Sequence, residues 1–317
     1  MNQNVASLEP TEIWTCFEEL NAVPRPSKKE ERVIAFMKKF GEDLGLETII
    51  DPVGNVIIRK PATAGKEGVT PVVMQGHLDM VHQKNSATEF DFESQGIESW
   101  IDGEWVKAKG TTLGADNGIG SASIMAVLKS DSIAHGPIEG LFTIDEETGM
   151  TGAIHLQEGL LQGKILLNTD TEDEGELCIG CAGGVDSTAQ WKYAQEDNKN
   201  PAFQLSLTGL RGGHSGCDIH LGRGNANELM NRVLFQLNQS VPLQVASVVG
   251  GSLRNAIPRE SFAVITLKGS AEAAAKETLA KITSEIQTER KTSEPGLKIE
   301  LKPVSYTHLT LPTILRV

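Results

Sequence analysis

Three apolar segments that end in histidine or acidic residues constrain the fold of this chain more than any other feature. They are VTPVVMQGH, IEGLFTIDEE and KILLNTD, which end at His77, Glu147 and Asp170. Short apolar runs of this kind predict buried strands, and segments with helical patterns lie between them. We therefore predict an α/β fold in which a mixed, mostly parallel sheet is flanked by helices on both faces.

The N-terminal segment predicts two helices and a strand pair before the first of these strands. An amphipathic pattern over residues 10–22 predicts one helix. Ser27 and Glu30, in S-K-K-E, have the spacing of a capping box and predict the start of a second helix that extends to about residue 44. The segments ETIID and NVIIRK, separated by PVGN, predict a tight strand pair.

A change of pattern near residue 183 predicts a second domain. The predicted strands after this point are VDSTAQWKY, AFQLSLTGL, LQVASVVGG and ESFAVITLKG, and the predicted helices cover residues 224–237 and 271–290. We therefore predict an α/β domain at residues 1–182 and an inserted two-layer α+β domain at residues 183–304.

The charge balance disfavours polyanionic partners. The chain has 317 residues and a formal net charge of −13, so we expect it to bind neither nucleic acid nor a membrane surface. The acidic excess either serves solubility or holds cations. No apolar run approaches the roughly 18 residues that a membrane-spanning helix needs, and no secretory signal is recognisable, so we expect a cytoplasmic protein.

The four cysteines also favour a reducing compartment, because their density is too low for a disulfide scaffold. Cys178 and Cys181 form a C-x-x-C pattern, but it lies in a strand-like segment bounded by glycine rather than at the start of a helix. A redox pair normally needs the helix position, where the thiol pKa is lowered. We therefore interpret these two cysteines as structural.

Polar residues with metal-binding side chains follow the first strand and the glycine-rich turn. His77 and Asp79 lie two residues apart, so in an extended chain both face one side, and one could bind a metal ion while the other orients it. Asp116, in GTTLGADNGIG, precedes a predicted helix. It is either an N-cap or a carboxylate that bridges two cations.

The other two strands are followed by carboxylates. Glu146 and Glu147 are adjacent and would point to opposite sides of an extended chain, so one could bind metal while the other activates water. A surface acidic turn is the alternative. Asp170 could complete a ligand set with His77 and Asp116 beyond the carboxyl ends of the strands, where open α/β sheets bind ligands. Imidazole with carboxylates suits zinc, with manganese as second choice.

The motifs GHLDMV, GTTLGADNGIG, IDEETGMTGA and NTDTEDEGEL resemble those of the aminoacyl-histidine dipeptidases, also called peptidase D, Xaa-His dipeptidases or cytosol non-specific dipeptidases. This family belongs to the superfamily of dinuclear zinc peptidases. The similarity extends from the N-terminus to about residue 304, and GGHSG and GGSLRNAIPRE resemble the lid motifs of the family. The resemblance implies a metal-dependent hydrolase that cleaves Xaa-His and other short dipeptides and is a homodimer when full length. It also implies that residues 1–182 form the N-terminal part of the metal-binding catalytic domain, and that residues 183–304 form an incomplete lid and dimerisation domain.

The resemblance further implies two Zn²⁺ ions, for which Mn²⁺ or Co²⁺ could substitute. Their ligands would be His77, Asp116, Glu147 and Asp170. Asp116 would bridge the two ions and precede a cis peptide to Asn117.

The remaining implied roles concern catalysis and substrate. Asp79 would orient His77, and Glu146 would be the general base that takes a proton from water and passes it to the leaving amine. His214 and Asn255, from the lid, would contact the substrate or polarise its carbonyl.

The sequence departs from the family in length. Family members are considerably longer, and a late histidine completes their second zinc site. We find no match for that histidine among His82, His135, His155, His220 and His308. We therefore expect that the chain is C-terminally truncated.

The last segment, SYTHLTLPTILRV at residues 305–317, has no acidic residue and does not continue the preceding strand pattern. We interpret it as a non-native tail, with a loop leading into a strand as the alternative. The functional hypotheses are thus an active dipeptidase, an inactive fragment that lacks the last metal ligand, and a related tripeptidase or N-acyl-amino-acid deacylase.

Overall fold

The computed structural model describes residues 4–304 except 172, 173, 181, 182, 184, 186, 193 and 195–197. Cys181 and the predicted tail at residues 305–317 lie outside the described residues. The chain forms two compact units, Met1–Gly184 and Val185–Val317. None of the helices in the described part of the chain combines the length and the apolar character that a membrane crossing requires.

The first unit is built on a five-stranded sheet and a separate two-stranded ribbon. Its strands are β1 (Glu47–Ile50), β2 (Val56–Lys60), β3 (Val72–His77), β4 (Ser99–Asp102), β5 (Trp105–Ala108), β6 (Ile138–Thr143) and β7 (Ile165–Asn168). The sheet has the order β1-β2-β6-β3-β7, and β4 and β5 form the ribbon. The pairs β1–β2 and β2–β6 are antiparallel, whereas β3 is parallel to both β6 and β7. The predicted mixed sheet is confirmed, and its parallel half carries the predicted ligands.

Helices α1 (Thr11–Asn21), α2 (Glu31–Asp43) and α3 (Ala115–Lys129) cover one face of this sheet. Two one-turn helices, α4 (Glu146–Gly149) and α5 (Thr151–Ile154), follow β6. Helices α1 to α3 pack on the sheet through a buried cluster that includes Phe17, Met37, Ile124 and Phe142. Among the described residues, a smaller cluster on the sheet consists of strand residues and leucines of the loop at 156–161. Within the described residues, helices therefore cover one face of the sheet and this loop packs on the other, so the prediction of helices on both faces is met on one face only.

Strand β7 differs from its prediction. Ile165, Leu166 and Leu167 were expected in a buried strand, but all three are exposed. Within the described residues β7 is the last strand of the sheet and pairs only with β3. The apolar sequence of β7 correctly predicted a strand. Its burial would require a further element packed against it, and the described residues contain none.

The second unit is a two-layer α+β structure. Its elements are β8 (Ala202–Thr208), β9 (Gly213–His214), α6 (Ala226–Ser240), β10 (Leu243–Gly250), β11 (Ala256–Ile257), β12 (Ser261–Leu267), α7 (Glu272–Arg290) and β13 (Lys298–Val304). An antiparallel sheet of order β10-β12-β8-β13 packs against α6 and α7 through one buried apolar cluster. The predicted α+β layering is thus confirmed.

One predicted strand of this unit is absent. In VDSTAQWKY, the described residues 185 and 187–192 form no strand. Val185 and Trp191 are both largely exposed, so the alternation of apolar and polar residues there does not correspond to a buried face. The sheet instead gains β13, which pairs with β8.

Candidate metal centre

The predicted ligands follow parallel strands or begin a helix. His77 is the last residue of β3, Glu146 and Glu147 begin α4 shortly after β6, and Asp170 follows β7. Because β6, β3 and β7 are parallel neighbours, their carboxyl ends lie at one edge of the sheet. Asp116 reaches the same edge from the start of α3, where its side chain contacts His77.

The imidazole of His77 lies at the centre of this group. Its Nε2 is 3.0 Å from Oδ1 of Asp116, 3.7 Å from Oδ1 of Asp170 and 3.9 Å from Oε2 of Glu146. Ligand atoms of His77, Asp116 and Asp170 all lie within 4.8 Å of one another, and so do those of His77, Glu146 and Glu147. The structure therefore brings all five side chains together.

The contacts of Nδ1 of His77 indicate which of the two ring nitrogens can bind a metal ion. Nδ1 lies 3.0 Å from the backbone carbonyl oxygen of Asp79 and 3.3 Å from its Oδ1. Because a carbonyl oxygen only accepts hydrogen bonds, Nδ1 carries a proton and donates a hydrogen bond to Asp79. In neutral imidazole this leaves the lone pair on Nε2, which is the arrangement of a metal-binding histidine with an orienting partner.

Asp79 connects His77 with the acidic turn. It is fully buried, and its carboxylate accepts hydrogen bonds from the backbone N–H groups of Glu146 (2.9 Å) and Glu147 (3.2 Å) and from Ser27 Oγ (2.8 Å). Burial alone would raise the pKa of Asp79, but the hydrogen bond and charge of His77 outweigh it and hold the pKa below its ordinary value. Asp79 is therefore a buried, charged group that is hydrogen-bonded both to the acidic turn at Glu146 and Glu147 and to the segment that contains Ser27.

Asn117 connects the start of α3 with the end of β7. The peptide between Asp116 and Asn117 is cis, as the resemblance implied. The amide Nδ2 of Asn117 donates to the carbonyl oxygen of Thr169 at 2.9 Å and to Oδ1 of Asp170 at 2.6 Å. These bonds hold Asp170 close to the other proposed ligands, a role of Asn117 that the sequence did not indicate.

Crowding of carboxylates gives the site its electrostatic character. Burial, followed by repulsion from Asp116, raises the pKa of Glu147 to about 8. Burial also raises the pKa of Glu146 and of Asp170, although the charge of His77 opposes it in both cases. For His77, burial lowers the pKa, but hydrogen bonds to Asp116 and Asp79 raise it to about 11. A bound cation would relieve the repulsion among the carboxylates, so the donor set fits divalent metal ions.

The acidic turn after β6 is not extended as predicted. Asp145 has a left-handed backbone (φ 48°), and α4 starts directly after it. The two glutamates consequently do not point to opposite sides of a strand. Their successive backbone N–H groups both reach Asp79, and atoms of both side chains lie within 4.8 Å of a His77 ring nitrogen.

The predicted substrate residues lie together in the second unit. His214 belongs to β9, and Asn255 directly precedes β11, which pairs with β9 through Ala256 and His214. The backbone N–H of Ser215 donates to the carbonyl oxygen of Asn255 at 2.8 Å. Nδ1 of His214 accepts from the N–H groups of the following turn, which fixes the orientation of its ring.

The capping box predicted at Ser27 and Glu30 is wrong. Helix α2 begins at Glu31, and no side-chain hydrogen bond caps it. Ser27 Oγ donates instead to Asp79, and Oε1 of Glu30 accepts from the backbone N–H of Asp145 at 3.0 Å. Arg25, which precedes them, was not predicted to belong to the site at all. The sequence carries no local signal for these three roles, because the partners of Arg25, Ser27 and Glu30 are distant in sequence.

Comparisons with known proteins agree with this architecture. Residues 205–294 match the family model of the peptidase dimerisation domain. The chain is 49% identical over 267 residues to the cytosol non-specific dipeptidase of Escherichia coli (strain K12), covering 83% of this chain and 55% of that protein. The crystal structure of aminoacylhistidine dipeptidase from Vibrio alginolyticus matches with 46% identity and a TM-score of 0.57, covering 96% of this chain and 63% of that one. The uncharacterized protein YqjE of Bacillus subtilis (strain 168) is 29% identical over 157 residues, which is 46% of this chain and 39% of that protein.

The chain is thus similar over most of its length to dipeptidases of the M20 metallopeptidase type, and residues 205–294 match a peptidase dimerisation domain. These findings confirm the resemblance of the motifs to those of the aminoacyl-histidine dipeptidases. The chain spans 55% of the length of the curated dipeptidase and 63% of the solved one.

Proposed function

We propose that this chain carries most of the metal centre of a dipeptidase that hydrolyses Xaa-His and other short dipeptides. The observation that carries the proposal is the convergence of ligand atoms from His77, Asp116 and Asp170, and from His77, Glu146 and Glu147, within 4.8 Å of one another. The names of the two most similar relatives described above, both dipeptidases, support the substrate class.

The proposed cofactor is a pair of Zn²⁺ ions, with Mn²⁺ or Co²⁺ as substitutes. His77, Asp116, Glu147 and Asp170 would hold them, with Asp116 shared. Such ions polarise a carbonyl group and make bound water more acidic. Nitrogen and oxygen donors of these types are ligands that zinc accepts in proteins, which supports zinc as the first choice.

The chain's own residues divide the remaining tasks. Glu146 is partly exposed and its pKa is raised by burial, so its carboxylate is suited to accept a proton from water and to return it to the leaving amine. Asp79 holds the proton on Nδ1 of His77 and so keeps Nε2 directed at the ligand group. For His214 and Asn255, we propose contact with the substrate.

We also propose that the full-length protein is a cytoplasmic homodimer. The match of residues 205–294 to the peptidase dimerisation domain supports the dimer, and the name of the curated relative supports the compartment.

A metal-binding chain without turnover is the second candidate. Within the described residues, both ligand groups at the centre contain the same single histidine, His77. A second ion would therefore rely on carboxylates alone unless a further ligand is supplied. This observation favours tight binding of one ion by the chain as it stands.

Metal analysis and a substrate panel test these proposals together. The purified chain is dialysed, its zinc content is measured by mass spectrometry, and hydrolysis of Xaa-His dipeptides, Gly-Gly, tripeptides and N-acyl amino acids is followed. Two ions with Xaa-His turnover support the dipeptidase. One ion without turnover supports the second candidate. Turnover of tripeptides or N-acyl substrates alone would replace the proposed substrate class.

A further inference from the structure

Residues 25–30, with the sequence R-P-S-K-K-E, form a segment that contacts three of the loops bearing the proposed ligands. We call it the RPSKKE segment. Its backbone runs beside the end of β3, where the N–H of Met80 donates to the carbonyl oxygen of Arg25 at 3.1 Å and Pro26 forms a parallel bridge with Met80. The proposed metal centre does not use these residues as ligands.

Arg25 joins two of the loops. Its side chain is 1% exposed, and Nη1 donates to the carbonyl oxygens of Leu78 (3.0 Å) and Asp79 (3.3 Å), directly after His77. Nη2 donates to the carbonyl oxygen of Gly114 at 2.6 Å, two residues before Asp116. One guanidinium therefore bonds to the backbone beside the imidazole and beside the proposed bridging carboxylate.

Two glycines leave room for this guanidinium. A Cβ atom at Gly114 or at Gly118 would lie 2.6 Å from Nη2 of Arg25, closer than real Cβ contacts allow. Gly114 also has a left-handed backbone (φ 72°), which only glycine adopts without strain. The glycine-rich turn around Asp116 is thus shaped to receive the side chain of Arg25.

Ser27 and Glu30 reach the remaining contacts. Ser27 Oγ donates to Oδ2 of Asp79 at 2.8 Å, and Oε1 of Glu30 accepts from the backbone N–H of Asp145 at 3.0 Å. Asp145 is the left-handed residue that turns the chain into Glu146 and the start of α4. The two bonds therefore act on the carboxylate behind His77 and on the turn that directs the glutamates.

We propose that Arg25, Ser27 and Glu30 are positioning residues that hold the ligand-bearing loops in place before a metal ion binds. This inference rests on the proposed function. Loops that are already ordered lose less conformational entropy when an ion binds, so the affinity for the ion is higher. Partners behind metal ligands typically change metal affinity by about 10- to 100-fold when they are removed.

Arginine is required at residue 25 because of its geometry. A lysine would keep the charge but would present one ammonium group, which cannot reproduce a planar fork that bonds to carbonyl oxygens of two loops at once. The variant Arg25→Lys therefore separates loop positioning from charge.

Arg59 provides a matched control in the same unit. Like Arg25, Arg59 makes several bonds, to Glu139 Oε1 (3.0 Å), Glu47 Oε1 (2.9 Å) and the carbonyl oxygen of Leu160 (2.6 Å), although it is only partly buried. None of these partners belongs to the ligand-bearing loops. The variant Arg59→Lys therefore loses the contacts of a bonded arginine in this unit without disturbing the position of the proposed ligands.

The test is titration of the purified 317-residue chain and its variants with Co²⁺, followed by calorimetry and by the visible absorption of the bound ion. Circular dichroism and thermal melting check that each variant is folded. We expect Arg25→Lys and Ser27→Ala to bind Co²⁺ about 10- to 100-fold more weakly with a changed absorption spectrum, whereas Arg59→Lys keeps both.

Three outcomes would contradict the inference. Unchanged Co²⁺ affinity and spectrum in folded Arg25→Lys and Ser27→Ala would overturn it, as would an equal loss in Arg59→Lys. If Arg25→Lys does not fold, Ser27→Ala decides, because it removes one hydroxyl group and little volume. An unmodified chain that binds no Co²⁺ would instead overturn the proposed function, and this inference with it.

Discussion

His77 is the residue that both ligand groups of the proposed metal centre share. Its ring is 1% exposed, Nδ1 bonds to Asp79, and Nε2 faces Asp116, Asp170 and Glu146. A side chain held at both nitrogens has little freedom to reorient, so its geometry is largely set before any ion arrives. Loss of this imidazole should therefore affect every ion that the chain binds.

We predict that His77→Gln abolishes stoichiometric zinc binding, because the amide cannot replace an imidazole nitrogen that is held by Asp79. Zinc content after dialysis is the measurement. His155→Gln serves as control, since His155 is exposed and its Nδ1 lies near the carbonyl oxygen of Thr151 rather than near a proposed ligand. Retention of a full zinc complement by His77→Gln would exclude His77 as a ligand.

Substitutions at Glu146 and Glu147 should have different effects on turnover and on metal content. In a full-length form, we expect Glu146→Ala to keep its metal content and to lose turnover by about 100- to 10,000-fold, the usual contribution of a general base. Glu147→Ala should lose bound metal as well as turnover. Parallel zinc analysis and dipeptide kinetics distinguish the two variants. Near-normal rates in Glu146→Ala would show that the base is another group.

At the scale of elements, the close approach of α3 to the end of β7 fixes the position of Asp170. A Cβ atom at Gly120 would lie 2.8 Å from the carbonyl oxygen of Thr169 and would also collide with side-chain oxygens of Asn117 and Thr169. Alanine is normally favoured over glycine within a helix, but here it would push two elements apart.

We accordingly predict that Gly120→Ala lowers the free energy of unfolding by about 1–3 kcal/mol, the usual cost of overpacking. Urea denaturation is the measurement. Gly68→Ala is the control, because a Cβ atom there meets nothing within 4 Å and the change should stay within about 0.5 kcal/mol. A stabilised Gly120→Ala variant would show that α3 and β7 are less closely packed than the structure indicates.

The strand-end residues were predictable from sequence, and their supporting contacts were not. An apolar run that stops at His77 or before Asp170 marks both a strand and its polar end, so the positions of these proposed ligands follow from local pattern. Ser27 and Glu30 match a local capping pattern equally well, but their partners Asp79 and Asp145 are distant in sequence. Local pattern cannot distinguish a cap from a long-range bond.

Three further errors also have causes that lie outside the local sequence. The backbone of Asp145 is left-handed (φ 48°), a conformation that is uncommon for aspartate and has no sequence mark here. The exposure of β7 and the missing strand in VDSTAQWKY reflect which segments come to lie beside them. The periodicity of apolar residues indicates whether a segment tends to form a strand, whereas its burial depends on which other segments pack against it.

At the scale of the whole molecule, metal binding should stabilise the first unit in particular. An ion that binds only the folded state at about 100 times its Kd adds about 2.7 kcal/mol. The proposed ligands all belong to Met1–Gly184, and the carboxylates among them repel one another without a cation. Local opening of their loops should become less favourable once that repulsion is removed.

We therefore predict that added Zn²⁺ slows amide hydrogen exchange in residues 77–80, 114–117 and 145–147. Exchange in β8 and β12 of the second unit should change little. Hydrogen-exchange mass spectrometry with and without a chelator is the measurement. Equal slowing throughout both units, or none near His77, would contradict a metal centre confined to these loops.

The arrangement of the proposed ligands at the carboxyl ends of β3, β6 and β7 has a consequence for how this sequence can change. Side chains of β3 and β6 contribute to the apolar interior, while the proposed ligands lie at the ends of the strands or after them. Interior residues such as Ile124 and Phe142 can therefore be exchanged for others of similar volume without touching the chemistry. The interior of such a fold can therefore diverge in sequence while the proposed ligands at the strand ends stay the same.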